Sequence, residues 1–342
     1  MTSEEEWPLA GDPDDKVGSR HHIVPKFYLE RWADARHKIV VVQKSSGKRH
    51  QTAAKDAGAE RDFYTHVAHD GEFHAHTEQL LGKIEDGAAP VIGNILSAFQ
   101  VFPPLGGDRE QLAMLIAFQM TRGKRVRRSM ELQADLITRL QLSMLRPEHH
   151  EAYVADKEGV GRPEDVEALR GLIDDLDNYE FGTDPNEHIV LLSKHAVTIF
   201  PYLMGLSWYL VDYGGPVLLT CDEPVVLYQH NPSPHGGVGL MTADEIWFPL
   251  SPRYLLVLTP IAVGPERVLS DSPENAAMVN NRLVHNAYEL VYLHPDHDML
   301  PAQMPPASPL FLVSGGPRPD IFDRYNQPLT DRRTARRGKR PR

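Results

Sequence analysis

Between residues 75 and 204 the apolar side chains recur at three- and four-residue intervals, and beyond residue 205 they do not. That change of period constrains the fold more than any other feature. In "HTEQLLGKIEDGAAPVIGNILSAF", Leu81, Ile84, Ala88, Ile92, Ile95 and Phe99 fall on one helical stripe. "PPLGGD" interrupts it, and Asp108 offers an N-cap for a second long helix, which Gly123 is expected to weaken or kink midway. Further helix is predicted over 163–178 and 185–195. After residue 205, "GLSWYLVDY", "PVLLTCDEPVVLYQ" and "IWFPLSPRYLLVLTP" are short β-branched and aromatic runs punctuated by Pro and Gly, which predicts strands. "ENAAMVNNRLVHNAYELVYLH" returns to helix and a last strand.

The N-terminal part adds smaller elements. Pro25 suits a first helical position, with Phe27, Tyr28, Leu29 and Trp32 as an apolar face over about ten residues. "KIVVVQKSSGKRHQT" predicts a hairpin, with a strand over 38–43 and a turn near Ser45–Gly47. The expected fold class is α+β: an N-terminal helix and β-hairpin, a large central helical bundle and a C-terminal antiparallel β-sheet region. Residues 19–315 are expected to form a single domain. The acidic start, 1–18, is expected to be disordered, and the tail, 316–342, basic and flexible.

Charge and cysteine content narrow the partners. Net charge is −11, yet "DRRTARRGKRPR" at the C-terminus holds seven cations against one acid. An acidic body argues against broad, non-specific nucleic-acid binding, while the tail suits an anionic partner or a solvated end. "MTSEEEWPLAGDPDD" has six acids and no base, the reverse of a secretory leader. No apolar run is long enough to span a bilayer. Cys221 is the sole cysteine, which excludes an intrachain disulfide and suits a reducing interior, so a cytoplasmic location and no membrane partner are expected.

"HHIVPKFYLERWA", "ERDFY", "TEQLLGKIE", "AFQMTRGKR", "LLTCDEPVV" and "WFPLSP" together resemble a widespread microbial family, domain of unknown function 4238. Its pattern has a His-x-Val-Pro-x-Phe-Tyr-Leu start, a Glu-x-Asp-Phe-Tyr, two spaced glutamates, a Gln-x-x-Arg and a Ser-Asp-x-Pro. The similarity covers about residues 20–300, and the opening motif is its most specific piece. Cys221 stands where serine is common. The resemblance implies a fold grouping and a set of suspect positions, and no established activity.

Those positions can be read chemically. His22 lies about three residues before a helix start, whose partial positive charge favours the neutral imidazole, fit to accept a proton or bind a metal. The alternative is that His21 or His22 caps the helix or bonds core backbone. "HHIVP" also opens like a His-Asn-His endonuclease, but the hairpin that follows lacks the Asn. Glu78 and Glu85 are two turns apart on one face, a spacing suited to a Mg²⁺ or Mn²⁺ pair or to acid and base, or to outward-facing solvated groups. His66, His69, His74 and His76 match no compact zinc spacing and read as a surface loop. Gln119 and Arg122 follow the apolar "LAMLIAF", so Arg122 either grips a phosphate or pairs with Glu78 or Glu85. Five cations lie within 122–128. Asp222 ends a strand ahead of Pro224, a place for an active-site acid or a turn-forming one.

The leading functional expectation is a metal-dependent hydrolase of phosphoester or nucleic-acid bonds. Glu78, Glu85 and Asp222 would hold Mg²⁺ or Mn²⁺, His22 would act as base, and Gln119 and Arg122 would bind the phosphate-containing ligand. The competing expectation is a non-enzymatic binding module whose polar groups form a structural network. A third uses the 122–128 cations and the basic tail on nucleic acid.

Overall fold

A computed structural model describes residues 20–61, 63–64, 66–67, 73–74, 76–97, 101–158, 162–182, 185–232, 237–302 and 304–305. The acidic start at 1–18, the basic tail at 316–342, and His69 and Phe99 lie outside the described residues. The chain divides into two compact units. One holds the described residues up to Arg125 and from Pro185 onward, and the other runs from Val126 to Gly182.

The change of period at residue 205 is the change from helix to strand. Before it come β1 (Arg20–His22), α1 (Lys26–Leu29), β2 (Lys38–Gln43), β3 (Arg49–Ala53), β4 (Ala59–Arg61), β5 (His66–Val67) and β6 (Phe73–His74). The helices α2 (His76–Ser97), α3 (Gly106–Thr121), α4 (Lys124–Met144), α5 (His150–Glu158), α6 (Pro163–Asp174) and α7 (Pro185–Met204) follow. After it come β7 (Ser207–Asp212), β8 (Thr220–Cys221), β9 (Val226–Tyr228), β10 (Glu245–Pro249), β11 (Tyr254–Thr259), β12 (Val268–Ser270), α8 (Ala276–Asn286) and β13 (Leu290–Leu293).

In the first unit α2, α3 and α7 pack together, and α3 is the buried member. Leu112, Leu115, Ile116 and Phe118 are all under 5% exposed, and burial of each contributes about 1.5–3 kcal/mol. The two-stranded β1–β4 and β5–β6 ladders and two larger sheets complete this unit. One has strand order β12-β7-β11-β10-β9, antiparallel except for the parallel β12–β7 pair. The other has order β3-β2-β13-β8, so the N-terminal hairpin is not a separate element: it pairs with the last strand, Val41 opposite Tyr292. That joins residues about 250 apart in sequence, a link no local pattern shows. The second unit has a small core of Leu142, Val154 and Leu169. Its buried Arg139 pairs with Asp135 and donates to the Leu176 carbonyl.

Four local expectations change. Pro25 is the residue before the first helical turn, not within it, and the helix is short: Lys26–Leu29, then a 3₁₀ turn at Glu30–Trp32. The helix expected to start at Asp108 starts at Gly106, with Asp108 in its first turn. The expected kink at Gly123 is a break between α3 and α4. His66–Val67 and Phe73–His74 pair as a two-residue ladder, and His76 opens α2. Among the described residues no helix is long and apolar enough to cross a membrane.

Candidate functional site

Four consecutive residues, Arg122 to Arg125, gather the polar groups of the first unit. The apolar face of α3 ends in Gln119 and Arg122, each 1% exposed. A charge so deeply buried must be matched, because leaving it unpaired costs several kcal/mol. Arg122 donates through Nε and Nη2 to Gln119 Oε1, at 3.0 and 2.7 Å, and through Nη1 to Glu85 Oε1 at 2.7 Å. Gln119 spends its amide on the Ile23 carbonyl, tying α3 to the N-terminal motif. The Arg122 carbonyl accepts the Tyr64 hydroxyl at 3.0 Å. The Tyr64 amide in turn donates to His21 Nδ1 at 2.7 Å, which places the proton of a neutral imidazole on Nε2. The two rings stack at 5.7 Å.

Glu78, one helical stripe from Glu85, completes this half. Its Oε2 is buried and has no hydrogen-bond partner. Burial and the nearby Glu85 charge push its carboxyl up to about 7, against the pull of Arg122. Glu85 is the ion-paired member. Burial also raises Tyr64 well above its ordinary value, keeping its hydroxyl a donor.

Gly123 opens the other half. A Cβ there would run into the Glu223 carboxylate, so glycine is what lets that acid lie against the helix junction. Glu223 accepts the Arg125 amide at 3.1 Å. Burial and the Asp222 charge raise it to about 8, and Arg125 and Lys124 oppose the shift. Asp222 is raised to about 6 by burial. Its two oxygens accept the amides of Tyr288, Glu289 and Leu290 at 2.7–2.9 Å. Lys124 pairs with Glu60 and Glu289. Arg125 donates to the Asn286 carbonyl at the end of α8, where the helix dipole favours a cation. Glu223 acts electrostatically on Tyr64, as do Arg122, Glu78 and Glu85 from the first half.

The structure thus brings together Glu78, Glu85, Gln119 and Arg122, and places Asp222 in the adjoining half. His22 stands apart. In β1 successive side chains point to opposite faces, so His21 is buried and His22 turns outward, its Nε2 3.1 Å from the Lys55 carbonyl. Glu78, Glu85 and Asp222 do not make one ligand set. Among the described residues no group of three His, Cys, Asp or Glu is placed to share a metal ion. One Glu85 oxygen is taken by Arg122, and both Asp222 oxygens by amides. The five cations of 122–128 are not an open basic strip: Arg127 and Arg128 pair with Glu131, and the other three are engaged as above. Cys221 is fully buried, its thiol directed at the Glu223 carbonyl and raised by burial.

Sequence reasoning missed Tyr64, Glu60, Lys124, Glu223 and Tyr292. Tyr64 and Glu60 lie in "ERDFY", and a glycine between two cations signals a close approach. Nothing local signals that its visitor is Glu223.

The raised carboxyls make stability fall with pH. Glu223 binds its proton more tightly folded than unfolded, so its contribution is intact below about 4.5 and is lost as pH rises to about 8. Glu78 acts the same way up to about 7. The expected result is a melting temperature that declines between pH 5 and 8, with Glu223→Gln flattening much of the slope. Thermal melts over that range check it; a decline equally steep in the variant would assign it elsewhere.

Residues 20–297 match the family model described as protein of unknown function (DUF4238). No curated protein and no solved structure matches the chain. The match covers both halves of the cluster and most of the sequence, and the chain belongs to the DUF4238 family.

Proposed function

We propose that the protein is a hydrolase in which Glu78 and Glu85 share the acid–base work. One observation carries this reading: two carboxylates on one helical face have opposite environments. Glu85 is ion-paired with Arg122 at 2.7 Å, while Glu78 has a buried unpartnered oxygen and is pushed up to about 7 by burial and the Glu85 charge. A carboxyl raised to near neutral pH beside one engaged in an ion pair suits the exchange of a proton at working pH. Phosphoester and nucleic-acid bonds are the proposed substrates, because the Arg122 guanidinium places positive charge behind the pair. Glu78, Glu85 and Asp222 do not fit a Mg²⁺ or Mn²⁺ site, since one Glu85 oxygen is held by Arg122 and both Asp222 oxygens by backbone amides. Gln119 holds Arg122 in place, and His22 has no part in this reading.

The purified full chain should hydrolyse a generic phosphodiester, bis-(p-nitrophenyl) phosphate, or a single-stranded oligonucleotide. Glu78→Gln and Glu85→Gln should each lower turnover about 100-fold or more. The pH profile of kcat/KM should bend near 7 and lose that bend in Glu78→Gln. Turnover untouched by either change removes both residues from the chemistry.

A second reading has its own support. Arg122 is 1% exposed and its guanidinium is bound by Gln119 and Glu85, as in a purely structural network inside a binding module. It predicts no turnover in the wild type or in any variant; the stability loss expected on removing Arg122 is common to both readings.

A further inference from the structure

The half of the cluster beyond Gly123 borders a cavity of about 20 Å³, room for one oxygen-sized group. Glu60, Lys124, Asp222, Glu223 and Tyr292 supply its polar lining. Glu60 reaches solvent and Tyr292 is fully buried, so the lining extends from the surface inward to Tyr292. That hydroxyl lies beside the Gly58 amide without completing a hydrogen bond. Lys124 bonds Glu60 and Glu289, and an ammonium carries a third proton. Glu223 accepts the Arg125 amide. Cys221 and Asp222 from its own segment, Lys124 and Arg125 from α4, and Tyr64 are the ionisable groups around it. Burial and the Asp222 charge keep it protonated at neutral pH, so it offers an O–H. Asp222 has both oxygens on amides.

Tyr292, Glu223 and Lys124 are therefore the lining groups with a proton to offer. We propose that Tyr292, Glu223 and Lys124 bind a single acceptor oxygen of an uncharged ligand, a carbonyl group above all. An anion is disfavoured, because among the lining residues the acids Asp222 and Glu60 face a single cation, Lys124, which is already paired with Glu60 and Glu289. A tyrosine hydroxyl beside a neutral carboxyl is a donor set that stabilises charge growing on a carbonyl oxygen. The site is independent of the Glu78–Glu85 reading and uses neither residue.

The probe is ¹³C-formamide, titrated into the full chain at pH 7 and pH 9 with its carbonyl ¹³C shift as readout; acetate is the charged comparison. The shift should saturate at pH 7, binding should weaken at least fivefold at pH 9, and acetate should not bind. Glu223→Gln keeps a donor that does not titrate and should bind formamide equally at both pH values. Tyr292→Phe should weaken binding at least tenfold while melting at or above the wild-type temperature. The proposal is overturned by a shift that never saturates at pH 7, or by acetate binding as tightly as formamide. It is overturned equally by a Tyr292→Phe protein of unchanged melting temperature and unchanged affinity. Should Tyr292→Phe fail to fold, a pH dependence that survives in Glu223→Gln overturns it alone.

Discussion

Replacing Arg122 by alanine should destabilise the protein by about 3–5 kcal/mol, the range for breaking a buried charge pair by removing one partner. For a unit of this size that is a fall of about 10 °C in melting temperature. The cause is what the guanidinium leaves behind. Glu85 would face Glu78 with no intervening cation, and the Gln119 oxygen would lose both of its donors inside the core. A cavity is added to that electrostatic loss, since Arg122 is among the largest fully buried side chains. Arg122→Lys should fall between the two, keeping the charge but not the fork that spans Gln119 and Glu85. Thermal melts of the three proteins at pH 7 decide the matter. A level or raised melting temperature in Arg122→Ala would mean that the pair is held at a cost, as a ligand-binding arginine is, and would count against the structural reading.

What the sequence could show was set by range. The helical stripe of α2 and the strands β7, β10 and β11 are local periodicities and were legible, whereas the run expected as a strand before Asp222 is one only at Thr220–Cys221 and β12 was not read. The interruption at Gly123 was legible, because glycine weakens a helix wherever it stands. Gln119 and Arg122 were legible as a pair: they follow an apolar run on one face, and a charge at that place must find a partner. The choice between His21 and His22 failed for a local reason. A helix start was read where a three-residue strand precedes it, and the strand's period of two decides which imidazole is inside. The half around Glu223 was out of reach for a non-local reason. Glu223 meets Gly123 across a hundred residues, and the N-terminal hairpin meets β13 across two hundred and fifty, so neither contact leaves a spacing to read. Asp222 was visible as a strand-end acid, but not the three amides that occupy it, which belong to the turn after α8.

That turn gives the second large effect. Asp222→Ala should cost about 3–5 kcal/mol, because the amides of Tyr288, Glu289 and Leu290 all lose a charged acceptor. Burial opposes ionisation of Asp222, and the amides are what keep its charge tolerable, so the change removes a compensated charge and leaves its donors uncompensated. Asp222→Asn should recover only part of the loss, since one side of the amide is a donor aimed at donors. The double variant with Arg122→Ala then separates two pictures of the cluster. Independent halves predict losses that add within about 0.3–0.5 kcal/mol. The Tyr64 hydroxyl on the Arg122 carbonyl, with Glu223 acting on the same ring, predicts a coupling larger than that. Denaturant unfolding of the two single variants and the double variant measures it. Strict additivity would show that the segment from Arg122 to Arg125 holds two sites side by side, and a coupling of about 1 kcal/mol would show that it holds one.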